Sequence, residues 1–281
     1  MTLTEEQLDF WGKRLLEKIQ KSDLKEMHLF HAFLEELVRR TERKMDGVIA
    51  ICGPRGYGKT TLALVSSLIL RQLLPRNEEA AFTWDNICYH YDDIGDVIEK
   101  ASANSIRVYP IDEAIDVMDA RDSMSKVNKE LGRFMTKARK KKNIYFWCIP
   151  SFVDLDSRLR NNIIHFWIEI FWKSNHADED KRYAYAAFFA KDSDPTVRDK
   201  WGFDDLKKTR RSTYTAEEQL KLMRRMRGFV CVIAFPMLPK VIEDEYEQTS
   251  FEALEDAGKA FKATFMKKQE EHRAEMLPKL A

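Results

Sequence analysis

VIAICGPRGYGKTTLAL, running from Val48 to Leu64, is a short apolar run, a glycine-interrupted loop and a helix-forming stretch in immediate succession. The loop from Gly53 to Thr60 satisfies G-x-x-x-x-G-K-[ST] at every fixed position, and the strand expected before it and the helix expected after it supply the context that pattern needs. Gly53, Gly56 and Gly58 carry no Cβ and tolerate positive φ, so backbone N–H groups can wrap closely around an anion. The positive end of the following helix points at the same place. Lys59 is positioned to reach β- and γ-phosphate oxygens, and the Thr60 hydroxyl to ligate Mg²⁺. The residues expected around a bound nucleotide are therefore Gly53, Pro54, Arg55, Gly56, Tyr57, Gly58, Lys59, Thr60 and Thr61, with Thr61 reading more as a helix residue than as a ligand.

Downstream, IRVYPIDE from Ile106 to Glu113 reads as an apolar strand ending in two acids, the second half of a nucleotide-hydrolysing site. Asp112 fits a direct or outer-sphere Mg²⁺ partner, and Glu113 fits the base that orients and deprotonates water. Pro110 removes a ladder donor and weakens a regular strand there. Asn143 to Ile149 lacks alternation, as a buried parallel strand does, and stops at Pro150. Ser151 follows where a polar side chain could sense the γ-phosphate. A short helix from Asp154 carries Arg158 and Arg160, each readable as a cation offered to a neighbouring subunit's phosphate or as a structural ion pair to Asp154 or Asp156.

Around this centre the pattern alternates. Thr4-x-x-Gln7 reads as a capping box opening one helix, and Ser22 or Asp23 as the cap of a second, reaching Val38. The helix after the loop spans about Lys59 to Leu73 and ends before Pro75. Phe82 to Tyr91 suits a strand or an irregular aromatic segment, and Asp92 to Ala101 a helix. Asp122 to Lys142 reads as a long amphipathic helix ending in the basic cluster Lys137 to Lys142. Ile163 to Trp172 and Tyr183 to Ala190 form a hairpin, and Asp192 to Ser212 a charged surface loop around Trp201 and Phe203. Thr215-x-x-Glu218 opens a helix carrying a second basic cluster, Lys221 to Arg227, closed by Gly228 before a last strand, Phe229 to Phe235. A helical tail follows from Ser250 to about Met276. The expected organisation is an N-terminal helical extension over 1–44, an ATPase domain over 45–240 and a C-terminal helical tail over 241–281.

Composition narrows the class. With 44% hydrophobic and 33% charged residues in 281, the chain can bury a large core, and its net charge of +1 confines any nucleic-acid contact to local patches. The four cysteines are too scattered for a zinc site, which points to buried thiols in a reducing compartment. No apolar run approaches the ~18 residues of a membrane span, and the first twenty residues carry charges throughout, unlike a signal peptide, so a cytoplasmic location is expected.

Three segments carry a resemblance: GPRGYGKT at Gly53 to Thr60, YPIDEA at Tyr109 to Ala114, and IPSFVDLDSRLRNN at Ile149 to Asn162. Over roughly Val48 to Trp172 the chain resembles the additional-strand division of P-loop ATPases, and within it the HerA/FtsK-like branch that includes viral genome-packaging motors. Ser151 stands where many relatives carry glutamine. The resemblance implies an α/β, RecA-like P-loop NTPase core with a mainly parallel central sheet flanked by helices, plus helical extensions at both ends. It implies ATP and Mg²⁺ as cofactors and Mg²⁺-dependent ATP hydrolysis in a homo-oligomeric ring, pentameric or hexameric. It further implies translocation or packaging of DNA held by Lys137 to Lys142 and Lys221 to Arg227, in a host cytoplasm if the protein is viral. The alternatives are a nucleotide-dependent switch or scaffold that binds a protein partner through its terminal helices, and a small-molecule or nucleoside kinase. Glu113 disfavours the kinase, because activating water would waste ATP.

Overall fold

The computed structural model describes residues 3–75, 81–89, 106–112, 133, 135–136, 139–176, 178, 181–193, 200–201, 214–253 and 255. Residues 2–238 form one compact unit and residues 239–281 a second, in which 240–253 are helical. The first unit contains α1 (Glu5–Gln20), α2 (Lys25–Glu42), β1 (Gly47–Cys52), α3 (Lys59–Leu73), β2 (Val108–Ile111), β3 (Ile144–Cys148), α4 (Ser157–Asn162), β4 (Phe166–Lys173), β5 (Tyr183–Ala190), α5 (Ala216–Met223) and β6 (Phe229–Pro236). Its amino-terminal helices thus lie in the same unit as the sheet.

The six strands order as β2-β3-β1-β4-β5-β6. The pairings β2–β3, β3–β1 and β1–β4 are parallel, while β4–β5 and β5–β6 are antiparallel. The result is a mixed α/β fold with a mostly parallel centre and the expected hairpin at one side. In space, β3 is inserted between the strand that leads into the 53–60 loop and the strand that leads to Asp112. Glycine-containing and acidic strand ends are therefore two inter-strand steps of about 4.8 Å apart, and the loop side chains must reach over the end of β3 to meet.

Strand β4 explains why both faces of the sheet are covered. Phe166 lies 5.7 Å from Phe33 of α2, ring centre to ring centre, and Phe33 is 4.8 Å from Phe188. On the opposite face Trp167 is sandwiched between Phe152 at 4.6 Å and Phe189 at 4.0 Å. Alternate side chains point to opposite faces, so one strand anchors two apolar layers, and each buried ring contributes about 1.5–3 kcal/mol.

Pro110 sits within β2, and the ladder shows why it is tolerated. The Val108 N–H donates outward to the Ala81 carbonyl at 2.8 Å, and the Pro110 carbonyl accepts from Cys88 N–H at 2.9 Å on the same side. The missing Pro110 donor therefore faces the outer edge, away from β3. Of the Phe82 to Tyr91 segment, the described residues, through Tyr89, take the irregular alternative: a short 3-10 turn at Trp84–Asn86 and a bridge from Cys88 to Ile111.

Several expectations need correction. The first helix has the capping box of Thr4 and Gln7, but α2 is preceded by Leu24 without a side-chain cap, and Ser22 Oγ instead accepts the Leu24 N–H at 3.2 Å. Trp201, expected on a surface loop, is fully buried, edge-on to Phe152 at 5.2 Å, with its indole N–H donated to the Arg160 carbonyl at 3.0 Å. An indole buries a large apolar area and needs one acceptor, and both needs are met inside the molecule. Arg139–Lys141 form a 3-10 turn rather than the end of an α-helix. The helix expected over Asp92 to Ala101 and most of those expected over Asp122 to Lys142 and Ser250 to Met276 lie outside the described residues.

Candidate active site

The 53–60 loop leaves the carboxyl end of β1 at Cys52 and enters α3 at Lys59. Glycine is required at Gly53 by close approach: a Cβ there would lie 2.7 Å from the Ile170 carbonyl of the adjacent β4. It is required at Gly58 by conformation, since this residue precedes α3 in the left-handed region with φ 95° and ψ 35°. The start of α3 also differs from those of α1 and α5. Helices α1 and α5 begin with capping boxes and acidic first turns, whereas α3 has no side-chain cap and no acid in its first turn. Its first amides are thus left without the side-chain acceptor that α1 and α5 supply, and without the first-turn acid that even the uncapped α2 carries at Glu26. An anion would be the natural cap.

Lys59 folds back over the loop, its Nζ donating to the carbonyls of Gly53 at 3.2 Å and Pro54 at 3.3 Å. These are neutral acceptors that a phosphate oxygen would replace with a charged one. The Thr60 hydroxyl donates to Asp112 Oδ1 at 2.9 Å. Asp112 is itself fixed by its backbone N–H, which donates to the Cys88 carbonyl at 2.9 Å. Cys148, at the end of the intervening β3, lies among the same groups. Burial pushes its thiol well above the ordinary value, and nearby Asp112 adds to this while Lys59 and the Thr60 hydroxyl act in the opposite sense. The thiol is therefore neutral, and the one strand end interposed between Thr60 and Asp112 adds no competing charge.

The other expected residues fall in different settings. Glu113 lies outside the described residues. Ser151 follows β3, is buried, and accepts the Asp154 N–H through its carbonyl at 3.1 Å. No hydrogen bond among the described residues joins its side chain to Lys59, Thr60 or Asp112. Arg160 is buried, donating to the Leu155 carbonyl at 3.1 Å and the Phe152 carbonyl at 3.5 Å. Arg158 is 52% exposed at its side chain and pairs with Asp156 at 3.4 Å. In the basic clusters Lys140 is exposed, while Lys221 pairs with Glu217 at 2.9 Å and Arg227 with Asp192 at 3.9 Å. Lys137 and the side chain of Arg139 lie outside what is described.

The sequence pattern passes over two charged residues that the structure brings into view. Glu169 is buried in the otherwise apolar β4, in register with Cys52 at the base of the loop, and accepts the Trp167 indole N–H at 3.2 Å. A lone acid in FWIEIFWK was the available signal. Arg71 of α3 is almost wholly buried and donates to Asp9 at 2.7 Å and Glu5 at 2.8 Å, tying α1 to the loop helix. Nothing in the local pattern around Arg71 marks partners more than sixty residues away.

No family model matches the chain, and no curated protein is similar to it. Among solved structures, the N-terminal domain of zonular occludens toxin from Neisseria meningitidis is similar at 17% identity and a TM-score of 0.38, covering 71% of this chain and 98% of that one. A likeness of that size carries no weight for function, which rests on the residues just described. Among the described residues no helix is long and apolar enough to cross a membrane.

Proposed function

We propose that the chain binds Mg²⁺–ATP at Gly53 to Thr61 and hydrolyses it. The observation that carries this reading is the hydrogen bond between Thr60 and Asp112, 52 residues apart in sequence and 2.9 Å apart in space, beside the uncapped positive end of α3. A hydroxyl and a carboxylate are hard oxygen donors of the kind Mg²⁺ takes, and these two lie next to a helix end suited to phosphate. Thr60 would hold the ion and Asp112 would hold it directly or through water. Bound Mg²⁺ supplies neutralisation of phosphate charge. Lys59 would exchange its two loop carbonyls for β- and γ-phosphate oxygens, and Glu113, next to Asp112, would take the proton of the attacking water. Ser151 remains the proposed γ-phosphate sensor.

The finer part of the reading is a ring of subunits that moves DNA. Arg160 is engaged inside its own chain, so the arginine offered to a neighbour's phosphate is Arg158, which is half exposed and would exchange Asp156 for that phosphate. Exposed Lys140 supports a phosphate-backbone contact more directly than the cluster at Lys221 to Arg227, part of which is already paired. The test is turnover with and without double-stranded DNA across a salt series, in wild type and Glu113→Gln. The variant should bind Mg²⁺–ATP as wild type does while turning over about 10²–10⁴-fold more slowly. DNA should stimulate wild type, most at low salt. Parallel loss of binding would remove Glu113 as the base, and no stimulation at any salt would favour a nucleotide-dependent switch or scaffold.

A further inference from the structure

A cleft of about 450 Å³ opens between the 54–57 segment of the loop, the end of β4 and the start of α5. It belongs to the same wall as the phosphate loop, because Lys173 at the end of β4 donates to the Gly56 carbonyl at 3.4 Å. Its volume falls in the range of about 300–1,000 Å³ typical of small-molecule sites. Tyr57, Trp172 and Tyr214 give it flat aromatic surface, and Asn175 and Gln219 give it two side-chain amides. Trp172 is braced from behind by Tyr183 and Tyr185, with ring centres 5.9 and 5.5 Å away. Among the described residues no carboxylate lines the cleft, and the amides of Asn175 and Gln219 make no hydrogen bond within the protein.

We infer that this cleft takes the adenine base of the nucleotide, an inference that rests on the phosphate-site reading above. The chemistry matches on three counts. The cleft adjoins the loop, so a base attached to phosphates held there enters it without a separate binding event. Aromatic rings stack on the π-face of a base. A side-chain amide offers a donor beside an acceptor, which pairs with the adjacent amino group and ring nitrogen of adenine, whereas guanine presents two acceptors at the corresponding edge. Gln219 is the residue that would set this preference, and Tyr214 the stacking platform.

The experiment is isothermal titration of the full chain with ATP, GTP and inorganic tripolyphosphate, all with Mg²⁺, in wild type, Tyr214→Ala and Gln219→Ala. Gln219 is only partly buried on α5, so its replacement leaves the fold intact even if that of Tyr214 does not. Wild type should bind ATP roughly ten-fold or more tighter than tripolyphosphate. Tyr214→Ala should bring the two within about two-fold, Gln219→Ala should erase the preference for ATP over GTP, and tripolyphosphate affinity should stay constant throughout. Equal binding of ATP and tripolyphosphate by wild type, or an ATP advantage that survives both substitutions, would overturn the adenine cleft and leave the phosphate site standing. Failure of folded wild type to bind any of the three would overturn the phosphate site, and the cleft with it.

Discussion

Replacing Asp112 by asparagine isolates the charge at the site from its shape. The amide oxygen of asparagine can still accept the Thr60 hydroxyl, now at 2.9 Å from the carboxylate, and the backbone N–H bond to Cys88 is untouched. The fold therefore survives, and what is lost is one negative charge facing the proposed cation. A carboxylate that orients a metal's ligands typically contributes ten- to hundred-fold in metal affinity, about 1.4–2.7 kcal/mol. The Mg²⁺ concentration that half-saturates ATP binding should therefore rise about ten- to hundred-fold, with little change in ATP binding when Mg²⁺ is absent. A Mg²⁺ titration at fixed ATP, read by calorimetry for both proteins, gives both numbers. An unchanged Mg²⁺ requirement would refute the assignment. So would an equal loss of ATP binding with and without the metal, which would make Asp112 a structural partner of Thr60 and nothing more.

Arg71→Met should destabilise the protein by about 3 kcal/mol in denaturant unfolding, since Glu5 is 65% exposed and rehydrates while Asp9, at 21%, is left as a poorly solvated charge; a loss under 1 kcal/mol would mean the tie between α1 and α3 is unimportant. Alkaline pH should also destabilise it. Burial raises the Cys148 thiol above its usual 9.0 and the Tyr109 and Tyr145 phenols above their usual 10.0, so the unfolded chain loses these protons first. The unfolded state then binds fewer protons, and stability, unaffected by these groups below about pH 8.5, falls as pH rises beyond 9. Denaturant midpoints at pH 7.5 and pH 10 that coincide would contradict this.

Much of the strand and helix pattern was legible because local chemistry decides it. The helix expected over Lys59 to Leu73 and the strand over Tyr183 to Ala190 have the same limits in the structure, where a glycine-to-helix transition and an unbroken run of aromatics and alanines leave little choice. The Thr4 and Thr215 capping boxes were likewise readable from four residues each. What escaped depends on partners distant in sequence. Trp201 sits in a polar stretch and looks exposed until Phe152 and the Arg160 carbonyl surround it. Pro110 looks disruptive until the ladder shows which side its missing donor faces. At the candidate site, the pairing of Thr60 with Asp112 could be anticipated from motif spacing, but the difference between Arg158 and Arg160 could not. Both lie on one short helix, and only packing against Phe152 and Leu155 takes Arg160 out of reach. The aromatic and amide lining of the cleft is assembled from three separated segments and has no local signature.

The most direct test of the account is phosphate release from Mg²⁺–ATP by wild type and Lys59→Ala. Among the described residues the hydrogen bonds of Lys59 go to two carbonyls of its own loop, so its removal leaves the fold in place while taking away the cation meant for the β- and γ-phosphates. The account predicts steady turnover by wild type and its loss in the variant, with both proteins equally folded by circular dichroism. Equal rates in the two, or no turnover by wild type with Mg²⁺ and ATP at saturation, would contradict it.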